Sequence, residues 1–344
     1  MTAHLTISQA GPAMSLQDLG RPGYRAQGLT IGGAADTTAI HEGAALLGQS
    51  TSHAAIEMAG QGGSFTASAD MRIALTGAEM AASVDGETLV WNASHLLPAG
   101  ATLQLGGTRN GTYGYLHVGG GFATPTVMGS RASHLAGGIG GLLNAGDILP
   151  IGPDKGTEVA VTLPKGDRFG GGKLRFVASM QTASFSEDSF DRFTQTAFRR
   201  DARANRMGIR MDFDGEGFNT AGQLSIVSEV VVPGDIQISG DGAPYVLMFE
   251  CQTTGGYPRI GSVLPCDLPR AAQAQTGAPL TFEFLEMDAA VAVQNRYLAD
   301  LKSLKSRVTP LVRDPARIRD LLSYQLISGV VSASTNPFEK GQKP

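Results

Sequence analysis

The residues best suited to chemistry stand together in Cys251-Gln252-Thr253-Thr254-Gly255-Gly256-Tyr257-Pro258-Arg259. Gln252, Thr253 and Thr254 carry amide and hydroxyl groups that both donate and accept hydrogen bonds. Gly255 and Gly256 allow the backbone to turn tightly and approach a ligand closely. Arg259 adds a fixed cation suited to a carboxylate or phosphate. The set fits a small-molecule site for a planar, polar or anionic group, and an ordinary Thr-Gly-Gly hairpin turn would use the same residues. A second polar and cationic group, Asn205-Arg206-Met207-Gly208, follows the basic residues Arg199, Arg200 and Arg203. Arg131, on a glycine-rich loop of the first half, joins them if the halves meet at a cleft, where ligand sites commonly form. An arginine fork holds a carboxylate in two parallel hydrogen bonds. The competing reading pairs these arginines with Asp201, Asp212 or Asp267 at the surface.

Other chemistries find no support. All six histidines (His4, His41, His53, His95, His117 and His134) fall in the first 134 residues, so the 251–259 stretch has no histidine base in its own half. No Cys/His metal spacing, His-Glu-x-x-His helix or Gly-x-Ser-x-Gly elbow occurs, and no metal is expected. Gly166 to Lys173 is not a phosphate loop, because Leu174 stands where Ser or Thr is needed. Gly138-Ile139-Gly140 lacks the third spaced glycine of a dinucleotide fingerprint. Cys251 and Cys266 fit neither a zinc nor a redox spacing, and two cysteines in 344 residues are no disulfide framework.

The elements that must position these residues are mostly strands. A chain of 344 residues suggests two domains at roughly 150 residues each. Its 46 glycines are about double ordinary usage, which points to many turns. A net charge of -4 gives no case for nucleic acid or an anionic membrane as partner. Residues 288–344 carry 9 basic and 5 acidic side chains, so the tail is positive on an acidic body. No charged-then-apolar leader opens the sequence and no run of 18 apolar residues occurs, so a cytoplasmic location is expected.

After the loop Asp18-Leu19-Gly20-Arg21-Pro22-Gly23, Asp36 predicts a helix N-cap, with Ala39, Ile40, Gly43 and Leu47 inward, His41-Glu42 on the outer face and Gly48 at the end. From Ala54 to Leu105, short strands recur about every ten residues between turns such as Asp85-Gly86 and Pro98-Ala99-Gly100, which favours a β-sandwich or barrel. Tyr113 to Val118 predicts another strand. Residues 152–173 hold linker signals, and the boundary is placed near 165–172. Beyond it, strands are expected at 174–177, 203–211, 223–232, 245–249 and 280–285, with a short amphipathic helix over 187–197. Glu57, the 72–75 strand and Pro98 to Leu105 have counterparts in Glu229, the 245–249 strand and Gln275 to Phe282, a faint internal repeat. Past Met287 the pattern turns helical: Ala290, Val293, Tyr297, Leu301, Leu304 and Val308 form one stripe, and Asp314-Pro315 starts a second helix ending at Gly329.

Several blocks resemble the carboxyltransferase-like family that includes the C subunit of 5-oxoprolinase, allophanate hydrolase subunit 2 and the kinase-inhibitor antagonist. They are also similar to the carboxyltransferase domain of urea carboxylase. The blocks are Gln17 to Gly23, Gly129-Ser130-Arg131, Arg206-Met207-Gly208-Ile209-Arg210, Gln252 to Arg259, and Asp267-Leu268-Pro269-Arg270 with Ala272-Gln273. The resemblance implies a mainly β protein with two cyclophilin-like β-barrel domains in tandem, 1–165 and 172–286, and a helical C-terminal extension over 287–344. It implies a B-type subunit of related fold, with a lactam-utilisation A subunit as a further partner, and ATP-dependent chemistry on an amide or lactam. In such chemistry ATP phosphorylates the lactam oxygen and water opens the ring. The alternatives are a biotin-dependent carboxyl transfer, with biotin brought by a separate chain, and a non-enzymatic kinase-inhibitor antagonist. The candidate substrate-binding residues, chosen for their chemistry, are Arg131, Asn205, Arg206, Gln252, Thr253, Thr254, Gly255, Gly256, Tyr257 and Arg259. Asn205 and Arg259 depart from the family's usual Asp and Lys, and Gly43-Ala44 replaces a usual Ala-Asn.

Overall fold

The computed structural model describes residues 3–220 and 226–312. The first helix, Thr37–Leu47, follows from its caps. Asp36 accepts from the Ala39 amide at 3.2 Å, and Gly48 closes the helix at φ 61°, a left-handed conformation that glycine adopts without strain. Its buried surface is wider than the expected stripe. Ala39, Ile40, Gly43, Ala44, Leu46 and Leu47 are all enclosed, and so is Glu42. The outward position expected for Glu42 is therefore corrected. Arg168 holds its carboxylate in a two-pronged grip at 2.9 and 2.7 Å, from a linker position that local periodicity does not reveal.

The chain is mainly β, as expected. Ten strands of the first half and one from the C-terminal region, Thr309–Pro310, form one branched sheet of eleven. Its spine is the antiparallel pair Met71–Val84 and Thr102–Val118. The latter merges the two strands expected at 102–105 and 113–118 into one of 17 residues, with register shifts opposite Gly77 to Ala82. Asp85 and Gly86 both take positive φ, 49° and 91°, the hairpin geometry in which Asp-Gly is favoured. Strands of this sheet run to Val161–Thr162, and Thr309–Pro310 returns to pair with them.

Seven strands of the second half close a barrel, from Gly172–Val177 to Pro279–Phe284, which pair in parallel. Within it, Phe198–Ala204 and Gly208–Asp212 form a hairpin where one run of strand was expected. The short helix is Glu187–Gln195, capped by Ser186, with Phe193 buried against Phe198, Phe218 and Phe282. Of the strand expected over 223–232, only Glu229–Val230 is formed, pairing Thr254–Gly255; residues 221–225 lie outside the described residues.

The C-terminal helix Met287–Ser303 carries the expected stripe, divided between two small cores. Ala290, Val293 and Tyr297 pack near Leu264 and Cys266, and Leu301, Leu304 and Val308 pack with Leu46 and Leu47 of the first helix. The second helix expected from Asp314 to Gly329 lies outside the described residues. No helix among the described residues is long and apolar enough to cross a membrane.

Gly43 has a packing reason. A Cβ there would come within 2.3 Å of the His117 ring, which lies beneath the helix. His117 donates from Nε2 to Thr76 Oγ1 at 2.8 Å, and that hydroxyl donates to the Ala39 carbonyl at 3.0 Å. Burial lowers the His117 pKa to about 3, so the ring packs as a neutral group. Gly43→Ala would gain about 1 kcal/mol of helix propensity but overpack the ring at a cost of about 1–3 kcal/mol. The urea midpoint should fall for Gly43→Ala alone and rise for the same change made in a His117→Ala background. A midpoint raised by Gly43→Ala in the otherwise unchanged chain would contradict this packing.

Candidate functional site

The 251–259 stretch and the 205–208 turn meet at one mouth of the barrel. Backbone bonds bring them together: Met248 N donates to Met207 O and Glu250 N to Arg206 O, both at 2.9 Å. Around this junction opens a cavity of about 600 Å³. Asn205, Gln252 and Tyr257 line it with Arg203, Gln237, Ser239, Tyr245 and Cys251. Arg203 is its only cation, and no Asp, Glu, His or Lys is among its lining residues. Burial pushes the Cys251 thiol up to about 12, so it remains protonated at neutral pH.

Arg206 takes a different place from the one expected. Alternation along the chain turns it away from Asn205 and into the seam between the halves. Its guanidinium donates to Glu57 from one nitrogen, to Glu250 from another and to the Gly33 carbonyl from the third. Burial alone would lower its pKa, but Glu57 and Glu250 outweigh burial and hold it above the ordinary arginine value. The pairing partners are therefore buried carboxylates from both halves, neither a ligand nor the surface aspartates.

The same seam continues in both directions. Glu57 accepts from the Tyr115 hydroxyl at 2.6 Å and the Ala35 amide at 2.8 Å. Tyr115 accepts in turn from the Asp36 amide at 2.8 Å. Asp36 also receives Arg168 at 2.7 Å and Gln273 at 2.8 Å. Gln273, fully buried, takes the Thr112 and Tyr113 amides at 2.9 Å each. On the other side, His134 accepts from Gly137 N at Nδ1, so its Nε2 carries the proton toward Thr30, whose hydroxyl donates to Cys251 O at 3.0 Å. A first-half histidine thus reaches the stretch only through the Thr30 hydroxyl, and it does not line the cavity.

Arg259 is also occupied. It contacts Gln181, the Val230 carbonyl, Asp235 and Glu229, at 3.2 Å or less. This clamp fastens the Glu229–Val230 strand, which pairs with Thr254–Gly255. Arg259 positions the stretch and is not among the residues lining the cavity. Thr253 and Thr254 are likewise absent from the lining: Thr253 O and the Thr254–Gly255 strand are used in the ladder. Gly255 and Gly256 do not take positive φ. A Cβ at Gly255 would lie 2.4 Å from the Gln237 amide nitrogen, so a larger residue there would displace the end of that side chain. Arg131 stays in its own half, donating from Nε to Thr124 O at 2.8 Å and from its amide to Asp18 at 2.7 Å. Asp18 also takes Ser130 at 2.6 Å, and so joins the Gln17–Gly23 and Gly129–Arg131 blocks.

Arg199 and Arg203 do pair with aspartates at the surface, with Asp212 and Asp214 and with Asp201 respectively. Gln237, Ser239 and Tyr245 of the cavity, and Glu250 of the seam, were not legible as site residues. Gln237 and Tyr245 face each other across adjacent strands, and single strand residues carry no local motif. Glu57 was visible only through the faint repeat. No group of His, Cys, Asp and Glu among the described residues is arranged to hold a metal.

Residues 27–284 match the family model for the carboxyltransferase domain, subdomain A and B. The chain is 33% identical to the C subunit of 5-oxoprolinase from Escherichia coli over 305 residues, covering 86% of this chain and 97% of that protein. Against the C subunit of the Haemophilus influenzae 5-oxoprolinase it is 30% identical over 289 residues, covering 82% and 91%. It also superposes on the crystal structure of the Kluyveromyces lactis urea carboxylase with a TM-score of 0.80 and 19% identity, covering 91% of this chain and 31% of that one. At that identity the likeness is one of fold.

Arg206→Met should destabilise the chain by about 3–5 kcal/mol, because it leaves Glu57 and Glu250 buried without their cation. Gln252→Ala and Tyr257→Phe, at exposed positions, should stay within about 0.5 kcal/mol. Urea unfolding of the three variants checks this ordering. An unchanged midpoint for Arg206→Met would mean that the seam does not depend on its charge.

Proposed function

This chain belongs to the carboxyltransferase family of subdomains A and B, and on that premise we propose that it is the C-type subunit of an ATP-dependent 5-oxoprolinase. It would act with a related B-type subunit and a lactam-utilisation A subunit to open 5-oxoproline to glutamate. One observation carries the reading. The cavity offers amide, hydroxyl and guanidinium donors, but no carboxylate, histidine or lysine lines it. Such a surface binds and orients a polar amide. It lacks a group able to relay protons near neutral pH, which ring opening by water requires.

ATP does not fit this cavity by its chemistry. Arg203, the only cation there, already grips Asp201 at 3.0 and 2.6 Å, and a triphosphate takes several cations or a nest of backbone amides. Nucleotide binding is therefore assigned to a partner subunit. When bound there, ATP supplies activation of the lactam oxygen. This chain's contribution is to hold the ring, with the Asn205 and Gln252 carboxamides aimed at oxygens where negative charge gathers.

A second reading, carboxyl transfer from a biotin carried on a separate chain, is favoured by the family description matched over 27–284. The two differ in their requirements. Reconstituted with its partner subunits, the complex should release glutamate from 5-oxoproline with ATP, and the isolated chain should not. Gln252→Ala should lower the complex's rate by at least about tenfold, or roughly 1.4 kcal/mol of transition-state stabilisation. Turnover by the isolated chain would overturn the proposed division of labour. Activity that requires bicarbonate and a biotinylated protein would favour carboxyl transfer.

A further inference from the structure

Among the described residues the buried arginines are Arg21, Arg72, Arg168, Arg200 and Arg259. A buried guanidinium is tolerated when its charge is matched and its donors are used. Arg72 meets Asp154, Arg168 meets Asp36 and Glu42, and Arg259 meets Glu229 and Asp235. Arg21, without an ion pair and with Nη1 unpartnered, rests on the carbonyls of Val127 and Ala132. Arg200 forms no ion pair among the described residues either, and its side-chain partner is Thr276 Oγ1, 2.8 Å from Nη1. Its Nε is buried without a partner. Burial lowers the Arg200 pKa, and Tyr113 and Asp201 only partly offset that. Arg200 differs from Arg21 in bordering a cavity.

That cavity lies in the seam between the halves. Ala35 and Tyr113 close it from the first half, and Ile209, Met248 and Ala272 from the second. The strand Phe198–Ala204 holds Arg200 in place: its amide donates to Ala278 O at 3.0 Å, and its carbonyl accepts from Gly277 N at 2.8 Å. No Asp or Glu is among the lining residues, and the nearby Glu57 and Glu250 are spent on Arg206. Burial and Glu57 push the Tyr113 hydroxyl up to about 12, so it keeps its proton and can donate. The space gives about 10 Å³ to the centre of a water-sized sphere, which is room for one guest of atomic size. A carboxylate, bicarbonate or phosphate is too large for it. Water fits by size but brings no charge to offset the guanidinium. A monatomic anion fits by size, carries that charge and accepts from every donor around it.

We propose that this seam cavity binds one halide ion, chloride being the common one, between Arg200 and Tyr113. The ion accepts from Arg200 Nε on the second half and from the Tyr113 hydroxyl on the first, and so ties the two halves together. The inference does not depend on the reaction proposed above.

The test is thermal unfolding of the full-length chain at fixed ionic strength, with gluconate replaced stepwise by chloride or bromide. Constant ionic strength removes general screening from the comparison. An ion that binds only the folded state raises stability with the logarithm of its concentration. We expect chloride and bromide to raise the melting temperature by at least about 2 °C. A crystal soaked in bromide should give an anomalous peak in contact with Arg200 and Tyr113. Arg200→Met should abolish the halide response and Tyr113→Phe should reduce it. Arg199→Met, at a partly exposed position on the same strand, should keep it. If Arg200→Met does not fold, the unchanged chain, the bromide position and Tyr113→Phe still decide. Equal melting temperatures in gluconate, chloride and bromide would leave the cavity to water and overturn the inference. So would a halide response retained in Arg200→Met, or bromide found only at the surface.

Discussion

One guanidinium in the seam between the halves sets the terms for this molecule. Arg206 comes from the second half of the chain, and its carboxylates, Glu57 and Glu250, come one from each half. Taking such ions out of water costs several kcal/mol each, and only close pairing with all remaining donors satisfied offsets it. Glu57 meets that condition through Tyr115 and Ala35, and Glu250 through Ala136. The polar seam therefore has to be complete to be stable, which explains its extension through Asp36 to Arg168 and Gln273. Apolar packing crosses in parallel: Ala34, Ala35, Ala39, Ile40, Tyr113 and Tyr115 belong to the same core cluster as the barrel's phenylalanines.

The cavity is a consequence of that seam. With Arg206 drawn inward, the residue before it faces outward, and Asn205, whose oxygen closes an Asx turn, is among the residues lining the cavity. The turn is in turn fastened to the 248–250 segment by backbone bonds, so the seam and the ligand surface share one rigid hairpin tip. On the far wall, Arg259 ties the Thr254–Gly255 strand in place. Two arginines that carry the right chemistry for a ligand are thus used to build the walls. The cavity is lined instead by carboxamides, one exposed arginine and tyrosines.

Local chemistry was legible wherever the cause was local. Asp36 and Gly48 bounded the first helix because capping is settled within four residues. Asp85-Gly86 marked a hairpin because its positive φ pair needs those residue types. The apolar stripe from Ala290 to Val308 was visible because one face repeats with the helical period, although its division between two cores was not. Gln252, Tyr257 and Asn205 could be picked out as polar residues beside glycine-rich turns. The outward reading of Glu42 failed because its partner, Arg168, lies far along the chain.

Residue types, caps and turns, strand periodicity and the family blocks could all be read along the chain, since each is a property of neighbours. Which charged groups are enclosed was settled only by folding, because burial and pairing depend on residues far apart in sequence. Arg206, Arg259 and Arg131 were indistinguishable as cations. Their different fates follow from the carboxylates and carbonyls that the fold delivers: Glu57 and Glu250 to the first, Glu229 and Asp235 to the second, and a loop carbonyl to the third. Gln237 entered the site the same way, since neighbouring strands of a closed barrel converge on a mouth that no linear window contains.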